Sequence, residues 1–112
     1  KLVALYQQGR YSDAANVAKE ALKVAENTYG TNHPNVATDL NNLAGLYASQ
    51  GKYAQAEPLY QRALAIREKA LGPDHPDVAT VLENYAGLLR KVGKTKEAES
   101  MEGRAKQIRS KR

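Results

Sequence analysis

The chain repeats itself every 42 residues, and that spacing constrains its fold more than any other feature. Gly9, Gly51 and Gly93 fall 42 apart, as do Ala14, Ala56 and Ala98. The longest match sets Gly30-Thr31-Asn32-His33-Pro34-Asn35-Val36-Ala37-Thr38 against Gly72-Pro73-Asp74-His75-Pro76-Asp77-Val78-Ala79-Thr80. Units recurring at a fixed period of this size stack on their neighbours as a solenoid, because none buries its apolar face alone. Arrays of that kind usually act by offering a surface to a partner, not by doing chemistry.

Each unit reads as two helices. Val36, Leu40, Leu43, Ala44 and Tyr47 recur at helical spacing and define one buried face. Gly51 then suits the left-handed position just past a helix end. A second apolar pattern follows through Ala56, Leu59, Tyr60, Ala63, Leu64, Ile66 and Leu71, and Gly72-Pro73 stops it. His33-Pro34 and His75-Pro76 open the next helices, since proline is tolerated at the first helical position, where its missing N–H had no partner. Asp77 adds a negative charge at the positive end of its helix dipole. These signals predict helices over 1–8, 11–29, 34–50, 53–71, 76–92 and 95–109 in a single domain, with units at 1–33, 34–75 and 76–112. Pro58 falls inside the fourth helix, where it is expected to remove a backbone bond and bend the helix. Gly45 and Gly87 each cost about 1 kcal/mol inside a helix, and their shared register suggests a geometric reason.

Composition limits the core and the chemistry. With no Trp, no Phe and one Met, the interior has to be filled by Ala, Leu and seven Tyr, residues suited to closely approaching helices. The absence of cysteine removes disulfides, thiolate nucleophiles and cysteine-bound metals. No stretch approaches the ~18 apolar residues of a membrane span. The compartment is left open, with the cytoplasm the favoured expectation. The formal charge of +5 is unevenly placed: residues 1–89 sum to −1 (eight basic, nine acidic) and residues 90–112 to +6 (nine basic, three acidic).

The run Leu40-x2-Leu43-Ala44-x2-Tyr47…Gly51…Ala56-x3-Tyr60-x2-Ala63 resembles the tetratricopeptide repeat, and Leu82-x2-Tyr85-Ala86-x2-Leu89…Gly93…Ala98 follows it. The ordinary repeat is ~34 residues long, and the longer unit here, with the stretch from Ala54 to Pro76, is similar to the kinesin-light-chain type. The resemblance implies an all-α, right-handed superhelical solenoid of antiparallel helix pairs. No heptad coiled coil is present to join a kinesin heavy chain, so the implied role is a peptide- or protein-binding scaffold without enzyme activity or cofactor. Thr95 replaces the Tyr11/Tyr53 position and Lys106 the Leu22/Leu64 position, as expected of a cap facing water. The first unit starts in mid-pattern at Lys1, as expected of a cut through a longer array.

In repeats of this kind the first helix of each pair lines the concave groove. Thr38, Asn41, Asn42, Gly45 and Ser49 share one helix face beside the apolar stripe, and Thr80, Glu83, Asn84, Gly87 and Lys91 repeat it, with Arg90 adjacent. Val3, Tyr6 and Gln7 fall in register in the first unit. Asparagine offers donors and an acceptor, so Asn42 and Asn84 are candidates to pair with an extended peptide backbone. Glycine lets that backbone come close. Arg90 and Lys91 favour an acidic segment, against which Glu83 works. His33 and His75 recur at one register and are expected to cap the following helices; with no His pair at helical spacing, no metal site is expected. Asp74-His75-Pro76-Asp77 has no serine near it to act as a nucleophile.

Two alternatives remain. One is a structural C-terminal cap of a longer array, with no groove ligand. The other is accessory nucleic-acid binding through residues 90–112, using Arg104, Lys106, Arg109, Lys111 and Arg112 on phosphates; no aromatic follows Tyr85 to stack a base. Leu2 and Leu5, poorly covered at the cut end, make self-association there a further expectation.

Overall fold

The computed structural model describes residues 11–111, which form five α-helices: α1 (Tyr11–Tyr29), α2 (Pro34–Ser49), α3 (Tyr53–Leu71), α4 (Pro76–Lys91) and α5 (Thr95–Ser110). The expected helix over 1–8 lies outside the described residues. Each helix packs on the next in sequence, and α2 also meets α4. Contacts confined to neighbouring units are what a stacked array requires.

The turns explain where the helices stop. Gly51 and Gly93 adopt φ of +78° and +86°, the left-handed conformation that other residues rarely adopt. After Gly51, the Lys52 N–H donates to the Tyr47 carbonyl at 2.8 Å and the Gly51 N–H to Ala48 at 3.0 Å. Lys94 and Gly93 repeat the pattern on Leu89 and Arg90. Both are Schellman closures, which satisfy carbonyls otherwise orphaned at a helix end. At the starts of α2 and α4, His33 Nδ1 accepts from the Asn35 N–H and His75 Nδ1 from the Asp77 N–H, each at 3.0 Å. Proline follows each histidine, so the expected capping role holds at both. Pro58 sits exposed in the second turn of α3, and the helix runs through it.

The core is built from small residues at the 42-residue register. Ala37, Ala44, Ala56, Ala63, Ala79, Ala86 and Ala98 are fully buried, so the helices approach closely. Between them lie Val36, Leu40, Val78, Leu82 and Leu89, each at most 1% exposed. Leu43 and Tyr47 of α2 become Tyr85 and Leu89 in α4, exchanging a large and a small side chain at the same two positions. Among the described residues, the buried side chains that carry a polar group are the tyrosines Tyr47, Tyr60 and Tyr85.

Candidate functional site

Side by side, α2 and α4 shape an open cleft of ≈ 480 Å³ lined by Asn41, Asn42, Gly45, Leu46, Ser49, Tyr60 and Asn84. Five of these belong to the stripe read from the sequence. All seven lining residues are uncharged. The Asn84 carboxamide donates to Asn41 Oδ1 at 3.3 Å, a bond that ties the two helices together across the cleft. It uses one N–H of Asn84 and one lone pair of Asn41. The other donors and acceptors of these amides, and all those of Asn42, have no protein partner among the described residues.

Other stripe residues are engaged elsewhere. Arg67 of α3 donates to the Thr38 hydroxyl at 2.7 Å and pairs with Asp77 at 3.4 Å, joining α2, α3 and α4. One period on, Arg109 of α5 donates to Thr80 at 3.1 Å and grips Glu83 through two bonds of 2.8 and 2.9 Å. The Arg109 hydrogen bonds hold the Glu83 carboxyl below its ordinary range. Thr38, Thr80 and Glu83 therefore fasten helices to one another and are not among the cleft lining. Gly87 is exposed with open space above it.

The expected cationic edge is altered. Arg90 makes a bidentate pair with Glu102, at 2.9 and 2.6 Å, so its charge is compensated within the chain. Lys91 is exposed and makes no ion pair among the described residues. Tyr6 and Gln7, with Val3, Leu2 and Leu5, lie outside the described residues.

The basic end is similarly engaged. Arg104 pairs with Glu68 and donates to the Pro73 carbonyl at 3.4 Å, and Lys111 reaches Asp74 at 3.1 Å. Lys94 pairs with Glu57 at 3.6 Å. Lys106 is exposed and makes no ion pair among the described residues, and Arg112 lies outside them. The Arg104 contacts repeat those of Arg62, one period earlier, with Glu26 and the Thr31 carbonyl. Much of the positive charge of residues 90–112 thus locks the last helix onto the array.

Helical periodicity puts Tyr60 in the apolar pattern and leaves Leu46 unassigned, and it marks neither as a cleft residue. In the sequence, Arg104 and Arg109 read only as phosphate-binding candidates and Arg62 and Arg67 are passed over, although the pairs Arg62/Arg104 and Arg67/Arg109 fall 42 apart and could have been found by that spacing. A second cavity, ≈ 620 Å³, opens between α1 and α3 over Leu22, Leu43, Tyr47 and Leu59. It contains no residue predicted to bind a ligand. There Leu43 holds the register of Tyr85, whose hydroxyl donates to Glu57 and accepts from Gln61, each at 2.9 Å.

Comparison with family models matches the chain to the tetratricopeptide repeat over residues 3–69 and again over 40–111. No curated protein matches it. Among solved structures, the crystal structure of BtubC (BKLC) from P. vanneervenii is similar, with a TM-score of 0.87 and 31% sequence identity. The alignment covers 99% of this chain and 44% of that one, so the chain spans less than half the length of that protein.

Proposed function

Because the chain belongs to the tetratricopeptide repeat family and is of the kinesin-light-chain-like type, we propose that it is a protein-interaction scaffold holding an extended peptide in the groove of α2 and α4. Repeats of this family generally mediate protein–protein interaction. The observation that carries the finer reading is the set of carboxamides of Asn41, Asn42 and Asn84 gathered in one cleft with most of their hydrogen-bonding capacity unused. A peptide backbone presents one N–H and one C=O at each residue other than proline. Amide side chains match both, whatever the peptide's own side chains are. The cleft lining holds no histidine, cysteine, lysine or carboxylate to activate the Ser49 hydroxyl, which supports a binding role over a catalytic one.

Charge plays a small part in this reading. Because Arg90 is held by Glu102, a preference for acidic segments rests on Lys91 alone. A phosphate-binding role for residues 90–112 is not favoured, since Arg104, Arg109 and Lys111 are already paired with carboxylates.

The test is to select peptides from a random display library on the immobilised chain. They are then measured against Asn42→Ala combined with Asn84→Ala. Loss of several amide contacts is expected to weaken binding by roughly tenfold or more, while the loss of the exposed Asn84–Asn41 bond lowers the thermal unfolding midpoint only slightly and leaves the domain folded. Equal binding by parent and double variant would show that the peptides are held elsewhere.

A further inference from the structure

Tyr60 and Tyr85 lie with their rings stacked, centroids 5.8 Å apart, and each is 4% exposed. Their hydroxyls are treated differently. That of Tyr85 donates to Glu57 and accepts from Gln61. That of Tyr60 has no protein partner among the described residues and ends at the lining of the α2–α4 cleft. A buried tyrosine usually finds a partner for its O–H. Here the ring is buried while the hydroxyl opens into the cleft, so it presents a donor to whatever enters there. Burial raises its pKa, so it stays protonated at neutral pH and keeps that donor.

Gly45 is what opens the path. A Cβ built on Gly45 would stand 3.7 Å from the Tyr60 hydroxyl oxygen and meet nothing nearer. Internal packing therefore does not demand glycine, although glycine within a helix is unfavourable. What its missing side chain provides is access from the groove to the hydroxyl. The opening does not recur in the next unit. Gly87 holds the register of Gly45 and Glu102 that of Tyr60, and Arg90 engages the Glu102 carboxylate with two hydrogen bonds.

This inference rests on the groove reading. We infer that Tyr60 fixes the register of the bound peptide, its hydroxyl donating through the Gly45 gap to one backbone carbonyl of an extended, uncharged segment. The uncharged class follows from a lining without a single ionisable side chain apart from the tyrosine itself. Close approach to the helix at Gly45 further selects a small residue at that peptide position.

The experiment uses library-selected peptides, acetylated and amidated at their ends, binding to the parent chain, Tyr60→Phe, Gly45→Ala and the Asn42→Ala, Asn84→Ala variant. A thioamide is placed at each peptide position in turn, because sulfur is a poorer acceptor than oxygen. Tyr60→Phe is expected to weaken binding roughly three- to tenfold, the worth of one hydrogen bond. One thioamide position should weaken binding to the parent and have no further effect on Tyr60→Phe. Gly45→Ala should weaken it as well, and with the thioamide scan on the parent it decides the matter if Tyr60→Phe does not fold. Unchanged binding by Tyr60→Phe, with binding lost in the asparagine variant, overturns the Tyr60 inference and leaves the groove reading standing. Weakening by Tyr60→Phe with no sensitive thioamide position overturns the carbonyl assignment. Unchanged binding in every variant, or a library that yields no binder, overturns the groove reading and the inference together.

Discussion

Gly45 and Gly87 sit inside α2 and α4, where glycine is about 1 kcal/mol less favourable than alanine. An added methyl at Gly87 would meet nothing within 4 Å, and at Gly45 only the Tyr60 hydroxyl at ordinary contact distance. Gly87→Ala and Gly45→Ala are therefore each expected to raise stability by about 0.5–1 kcal/mol, because the unfolded chain loses freedom and the native helix loses nothing. Urea denaturation measures this, and a fall in the midpoint for either variant would reveal crowding that the structure lacks. A gain in stability from Gly45→Ala alongside weaker peptide binding would separate the folding cost of that glycine from its use. The sequence showed the two glycines sharing a register, yet not what lay beneath them. Tyr60 read as an apolar-face residue, and its ring is indeed buried. Where its hydroxyl emerges depends on the side chain missing across the helix pair, which helical periodicity within one segment does not report.

At the level of whole helices, nearly every boundary was legible because it is written in local chemistry. The 53–71 reading coincides with α3, and 34–50 and 76–92 each overran α2 and α4 by one residue, since Gln50 and Val92 are caps. His75→Ala removes the side chain that accepts from the Asp77 N–H and is expected to cost about 1 kcal/mol, within the range for losing an N-cap. His75→Asn, which restores a capping acceptor, should recover most of it in the same thermal melt. Gly51→Ala forces a side chain into a backbone at φ +78° and should cost about 1 kcal/mol or more, in contrast to the gain at Gly87. What local chemistry did not disclose is how the helices are fastened. Arg67 reaches Thr38 and Asp77 on two different helices, and Arg109 reaches Thr80 and Glu83 on a third pairing. Those partners are fixed by helix rotation and crossing, so three residues of the stripe, Thr38, Thr80 and Glu83, fasten helices while Asn41, Asn42, Gly45, Ser49 and Asn84 line the cleft.

Across the array as a whole, stability depends on how each helix grips the next, and the junctions α4–α5 and α3–α4 respond to pH at opposite ends of the scale. On the acid side, hydrogen bonds from Arg109 and Arg90 hold Glu83 and Glu102 below the ordinary carboxylate range. Their contribution is complete above that range and fades as the pH falls through it, but both pairs are exposed and weak on that account. The alkaline side is governed by Tyr85, whose hydroxyl sits between Glu57 and Gln61 of the preceding unit. Burial is the main cause that raises its pKa from 10.0 to about 12; the Gln61 hydrogen bond opposes the rise, and the bond to Glu57 and its charge add to it. The native state thus holds this proton more tightly than the unfolded chain does. Its stabilising effect is full below pH 10 and is lost as the pH rises toward 12. Ionisation would place a phenolate beside the Glu57 carboxylate, so loss of the proton and loss of the α3–α4 junction should coincide. An absorbance titration of tyrosinate, followed together with helical circular dichroism, is expected to show a late component near pH 12 that accompanies loss of helix. Tyr85→Phe should abolish that component and leave Glu57 paired with Lys94, which lies 3.6 Å away. A late component that persists in Tyr85→Phe would assign it to another tyrosine and remove Tyr85 as the alkaline control of the junction.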